Sequence, residues 1–205
     1  MEPNMDLTKN DKLILKQVHE IGELFGFETR NKYAILDAEQ FPLGYAAEQS
    51  KGILGFFLRQ FLGHWRKFEV HFFNEQRELV MVGQHPFRWF FERIEVYDAN
   101  DKFIGAIQKR FAIFTKRFDV EGERGDILYT VASPIWKIWT FNFMQRGRTA
   151  ASIKKRWTGL LAEAFTDKDT FYIEYINPQM ENNHRKVILA SSVFIDLLFF
   201  ERKAN

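Results

Sequence analysis

Apolar and polar residues alternate with a period of two over most of this chain. From Asn31 to Tyr175, segments of about five to ten residues rich in Phe, Val, Ile, Thr and Tyr are separated by clusters of turn-forming residues, the signature of a β-rich fold. Strands are predicted at Lys32–Asp37, Leu43–Glu48, Lys67–Asn74, Leu79–Gln84, Phe90–Tyr97, Phe103–Lys109, Phe111–Val120, Ile127–Ala132, Ile138–Met144, Thr149–Arg156 and Thr170–Ile176. The breaks include Asp98-Ala99-Asn100-Asp101, Glu121 to Gly125, and Arg146-Gly147. So many strands joined mostly by short turns predict one large antiparallel meander, and closing it into a barrel removes its exposed edges.

Two segments depart from that period. From Leu13 to Phe25, the residues Ile14, Val18, Ile21 and Phe25 recur at helical spacing with Lys12, Lys16, Glu20 and Glu23 between them, and Gly26 follows. This predicts an N-terminal amphipathic helix that covers the barrel, contacts a partner or lies on a membrane. Residues 1–26 are accordingly read as an appendage and 27–205 as the barrel domain. The second segment, VILASSVFIDLLFF from Val187 to Phe200, is apolar on all sides apart from Ser191, Ser192 and Asp196. As a helix it spans roughly 21 Å, short of the roughly 30 Å of bilayer hydrocarbon. A barrel of about eleven or twelve strands has room for one helix, so Val187, Leu189, Phe194, Ile195, Leu198 and Phe199 are expected in its core. The alternative is a transmembrane anchor, against which Asp196 counts because a carboxylate is costly in lipid.

Composition narrows the partners. The 205 residues carry a net charge of +2, far from the basic footprint of a nucleic-acid binder, and 46% of them are hydrophobic with 23 phenylalanines. Zero cysteines exclude disulfides, thiolate metal sites, thiol nucleophiles and S-acylation. The acidic start, Met-Glu-Pro-Asn-Met-Asp, lacks the basic and apolar regions of a signal peptide, so a cytoplasmic location is expected. His19, His64, His71, His85 and His184 are scattered outside any catalytic motif, and no enzyme is expected.

The stretch IKKRWTGLLAEAFTDKD from Ile153 to Asp169, followed by the segment ending VFIDLLFFE at Glu201, resembles the phospholipid scramblase family. Its members carry K-x-W-T-G-x-x-x-E-A-F-T-D-x-D before a helix of the F-x-I-D-x-x-F-F-E type. Gly26 to Tyr33 and Ala46-Ala47-Glu48 agree as well, so the resemblance covers about residues 13 to 203. It implies a barrel of about twelve strands around a C-terminal helix, shared with tubby-like proteins. It further implies membrane phospholipids as partners, and bidirectional, ATP-independent movement of lipid between leaflets; with the C-terminal run too short to span lipid, a peripheral position at the cytoplasmic face is expected. The alternatives are a tubby-like lipid- or protein-binding module that moves no lipid, and a soluble ligand-binding or regulatory domain.

Three sets of residues are candidates. Asp167 and Asp169 lie where the resemblance implies calcium, but an EF-hand register started at Asp167 puts Phe171, Tyr172 and Pro178 where an oxygen, a glycine and a glutamate are needed. They are expected to hold one weakly bound Ca2+ or to be solvated at a turn. The aromatic clusters at Phe56, Phe57 and Phe61, at Arg88 and Trp89, and at Trp136, Lys137 and Trp139 stand where the resemblance implies cysteine clusters, at least one of them acylated. Rings beside cations suit an interfacial anchor, and barrel packing is the alternative. The basic patch Lys154, Lys155 and Arg156 resembles a stretch credited with importin binding, and also suits anionic headgroups or solvent. On a strand, three adjacent cations cannot share one face.

Overall fold

In the computed structural model, residues 3–18, 31–49, 68–86, 91–134, 136, 139–156 and 170–197 are described. Twelve strands follow one another: β1 (Lys12–Gln17), β2 (Lys32–Leu36), β3 (Pro42–Glu48), β4 (Phe68–Asn74), β5 (Leu79–His85), β6 (Arg93–Asp98), β7 (Phe103–Arg110), β8 (Thr115–Glu121), β9 (Ile127–Pro134), β10 (Thr140–Gln145), β11 (Arg148–Arg156) and β12 (Thr170–Tyr175). Each pairs antiparallel with its sequence neighbours, and β1 also pairs with β12, closing the barrel. Alternation sets the two faces. Leu13 and Leu15, Val70 and Phe72, Ile94 and Val96, Phe118 and Val120, and Phe171 and Ile173 point inward and are buried. Lys12, Lys16, Glu69, Glu95, Arg117, Lys154 and Glu174 occupy the outward positions between them.

The expected N-terminal helix is corrected by β1. Over residues 12–17 the period-two pair Leu13 and Leu15 wins over the helical spacing of Ile14 and Val18. The strand gains hydrogen bonds on both sides, with Ile14 opposite Leu36 on β2 and Tyr172 on β12, while a helix there would leave two edges open. This strand belongs to the barrel wall; residues 19–26 lie outside the described residues. Two further boundaries shift by three residues or more. β6 starts at Arg93, not Phe90, and β8 starts at Thr115, not Phe111, which leaves Phe91 and the stretch Phe111–Phe114 outside the wall.

The helix α1 (Asn182–Ile195) fills the lumen. Its Val187, Leu189, Phe194 and Ile195 are all buried, as the apolar run requires; Leu198 and Phe199 lie outside the described residues. The two serines are accommodated within the helix, Ser191 Oγ donating to the Val187 carbonyl at 2.8 Å and Ser192 Oγ to the Leu189 carbonyl at 2.6 Å. No described helix is long and apolar enough to cross a membrane.

The wall comes close to the helix at Gly105 on β7. A Cβ there would lie 2.6 Å from the Glu121 carbonyl oxygen and 2.8 Å from Val187 Cγ2 of α1, and its φ of +155° disfavours a side chain. Gly105→Ala is expected to destabilise the barrel by about 1–3 kcal/mol, measured by urea unfolding. An unchanged midpoint would mean that α1 shifts freely.

The two ends of the barrel differ. One is closed by tight turns, where Asp37 and Asp98 cap their own loops by accepting two backbone N–H groups each, from Glu39 and Phe41 and from Asn100 and Lys102. Residues Asn4–Asn10 cross this end. Antiparallel order brings the β1–β2, β3–β4, β5–β6, β7–β8, β9–β10 and β11–β12 connections to the other end.

Candidate functional site

The strands place the candidate residues in three different environments. Lys154 is exposed on the outer wall, with its Nζ 3.9 Å from Glu174. Lys155, one position on, points into the lumen, which corrects the expectation of a basic surface patch. Ala151, Ile153 and Lys155 form the inward row of β11, and the buried Lys155 ammonium sits 3.1 Å from Oδ1 of Asp196, just past the end of α1. Tyr33 on β2 donates its hydroxyl to the other carboxylate oxygen of Asp196 at 2.9 Å. The Lys155 ammonium also lies 5.0 Å from the centre of the Phe171 ring. The carboxylate that counted against a lipid anchor thus anchors the helix to two walls of the barrel. The Arg156 side chain lies outside the described residues.

Of the aromatic candidates, Trp136 is exposed in the β9–β10 connection. Trp139 is half-buried, and its carbonyl accepts the Lys155 backbone N–H at 2.8 Å, tying that connection to β11. Phe56, Phe57, Phe61, Arg88, Trp89 and Lys137 lie outside the described residues, as do Asp167 and Asp169. Among the described residues no group of three His, Asp or Glu side chains is placed to hold a metal ion. The β7–β8 connection was not among the sequence candidates. Phe111, Ile113 and Phe114 are exposed there, and the available signal was the Lys-Arg pair on either side of them.

A chain of ion pairs runs along the outer wall below this connection. Arg110 Nε is 2.6 Å from Asp119, and Arg93 bridges Glu95 at 2.9 Å and Glu121 at 2.7 Å, while Lys109, which shares the inward row with Ile107 and lies opposite Phe118, has its Nζ 2.7 Å from Glu92. The described histidines serve packing more than chemistry. The His85 ring stacks on Phe68 with centroids 4.7 Å apart, and His184 meets Tyr129 edge-on.

At the tight-turn end, burial holds the Lys186 ammonium below the usual lysine range, and its Nζ donates to Asn4 Oδ1 at 3.0 Å. Hydrogen bonds from Lys102 and Asn183 hold the Glu123 carboxyl below the usual range. This end is therefore stitched shut by polar contacts between turns, helix and N-terminal segment.

Residues 2–202 match the family model described as Scramblase. A phospholipid scramblase family protein of Schizosaccharomyces pombe is 24% identical over 98% of this chain and 62% of its own length. Phospholipid scramblase 2 of Bos taurus is 25% identical over 95% of this chain and 70% of its own. Phospholipid scramblase 1 of Homo sapiens is 24% identical over 95% and 64%. The chain thus spans less than two thirds of the length of two of these three. A solved Arabidopsis thaliana protein aligns over 95% of this chain with a TM-score of 0.49 at 11% identity.

Proposed function

Because the chain belongs to the scramblase family, we propose that it moves phospholipids between membrane leaflets, in both directions and without ATP, from a peripheral position on the cytoplasmic face. The observation that carries this reading is the family match over residues 2–202, which takes in the whole described barrel. Weak calcium binding through Asp167 and Asp169 is part of the proposal, as is headgroup contact by the aromatic clusters, of which Trp136 is exposed.

The wall and the lumen limit the mechanism. Lipid cannot pass through a lumen occupied by α1, whose core residues are buried on all sides. The wall cannot serve as a spanning surface either. Its outward Lys12, Lys16, Glu69, Glu95, Lys154 and Glu174 are the reverse of an apolar band, and a charge at the bilayer midplane costs about 2–4 kcal/mol each for Lys or Arg. The mechanism that fits is disturbance of the bilayer from one side, thinning it locally so that headgroups cross a shorter apolar path. No covalent bond is made or broken, so no catalytic group is needed.

The test is reconstitution with vesicles carrying a fluorescent phospholipid in both leaflets, followed by dithionite quenching. Scrambling is expected to bleach more than the outer half of the fluorescence, with calcium changing the rate. Quenching that stops at one half with and without calcium would leave the tubby-like reading, a membrane-lipid binder that moves nothing, which the filled lumen favours.

A further inference from the structure

The hairpin joining β7 to β8 reads Lys109-Arg110-Phe111-Ala112-Ile113-Phe114-Thr115-Lys116-Arg117, two basic pairs around an apolar tip. At that tip Phe111 is 74% exposed, Ile113 69% and Phe114 70%. Single exposed hydrophobics are ordinary on protein surfaces, and the tight-turn end has them one at a time, as Phe41, Ile127 and Ile176. Three large apolar side chains within four residues form a patch, and patches mark contacts. Trp136, 72% exposed, belongs to the β9–β10 connection. Since β7 and β9 run in the same direction around the closed barrel, Trp136 is at the same end as the hairpin tip.

The charges around the tip say what it meets. Arg110 and Arg117 are directly opposite each other across the hairpin, on the outer face. Like charges so placed repel in water, and an anionic surface turns that cost into attraction. Asp119 and Glu92 face two of the four cations, Arg110 and Lys109. Lys116 lies 5.4 Å from the centre of the Phe141 ring, and Arg117 is exposed. A positive collar below a convex aromatic tip fits a layer with negative groups outside and hydrocarbon within.

We propose that the β7–β8 tip inserts into the headgroup and acyl boundary of an anionic leaflet, with Trp136 as a second contact, so that the barrel docks end-on. This rests on the reading of the protein as membrane-acting, but specifies a surface that the reading does not require. Two residues of extended chain on each side of the tip reach about 7 Å, within the depth of about 5–10 Å at which interfacial segments settle.

The chain has no cysteine, so Ile113→Cys gives one attachment point for an environment-sensitive fluorophore, and Phe41→Cys gives a control at the opposite end. With vesicles of phosphatidylcholine and phosphatidylserine, the probe at position 113 is expected to brighten and shift to the blue while the probe at 41 does not change. Phosphatidylcholine alone should give a weaker response, and added salt should weaken binding to the anionic vesicles. The triple variant F111S/I113S/F114S is expected to bind those vesicles about tenfold more weakly, ~1.4 kcal/mol, with an unchanged unfolding midpoint. Wild-type pelleting with a probe at 113 that stays in water, or undiminished binding by the triple variant, overturns the proposal and leaves the membrane reading standing. Failure of the wild type to pellet with either vesicle overturns both. Loss of self-association in the triple variant with vesicle binding intact would make the tip a protein contact, and would also overturn it.

Discussion

Asp196→Ala is expected to lower the stability of the barrel by about 3–5 kcal/mol, or roughly 10 °C in the unfolding midpoint for a chain of this size. Its side chain is 1% exposed and that of Lys155 is 4% exposed, with 3.1 Å between Nζ and Oδ1. A buried ion pair contributes little net stability relative to an apolar pair of similar volume. Deleting one partner is different, because the other charge keeps its desolvation cost without the attraction that offset it. The Tyr33 hydroxyl, which donates to the same carboxylate at 2.9 Å, loses that acceptor as well. Replacing both charges, Lys155→Met with Asp196→Leu, is expected to recover most of the loss. Guanidinium unfolding of the two single variants and the double variant measures the coupling. Additive losses would mean that the pair does not join α1 to β11.

Arg185→Met is expected to cost a comparable amount, about 3 kcal/mol or more, with a local consequence that Asp196→Ala lacks. The Arg185 side chain is 0% exposed at the start of α1. It donates from Nε to the Met180 carbonyl at 3.2 Å and from one terminal nitrogen to the carbonyls of Leu7 at 3.1 Å and Asn10 at 2.8 Å, while its guanidinium lies 4.8 Å from the Tyr175 ring centre. Methionine fills the space but leaves these carbonyls without their donor. Buried Met5 and Leu7 are then held by packing and by Asn182, which accepts the Leu7 N–H and donates to the Met5 carbonyl. Trypsin should cut after the exposed Lys9 faster in this variant, before global unfolding. Arg185→Lys should protect only partly, because an ammonium lacks the planar fork. Equal cleavage rates in all three proteins would show that the N-terminal segment does not depend on this side chain.

Most of the barrel was legible in the sequence because alternation is a local signal. The eleven segments between Lys32 and Ile176 each carry it, and each is a strand. The first strand was missed for a physical reason. Over six residues, Leu13 and Leu15 alternate while Ile14 and Val18 keep helical spacing, so local pattern cannot decide. Pairing with β12, more than 150 residues away, decides it. The core helix was legible because its length and uniform apolarity leave few places to put it. Lys155 was half legible: one of three adjacent cations had to face inward, and Ala151 and Ile153 mark its row as the apolar one. The exposure of Phe111, Ile113 and Phe114 was not, since residues that favour strands by intrinsic preference read as strand until the hairpin's turn is located. The remaining aromatic candidates and the acidic pair at Asp167 and Asp169 lie outside the described residues.

Closure by β1 and β12 also constrains how the chain comes to be folded. Lys12 pairs with Glu174, and the helix inside the wall starts only at Asn182. The last piece of the interior is therefore made after the last stave. During synthesis β1 has one partner, β2, and waits for its other neighbour until β12, more than 150 residues later, has emerged. A β1 that zipped onto β12 first would enclose an empty interior, so the order that avoids trapping is helix docking before the seam forms. Such long-range pairing slows folding and leaves strand edges exposed meanwhile. The seam, more than any single turn, is then where a nascent chain is open to aggregation and to chaperone capture.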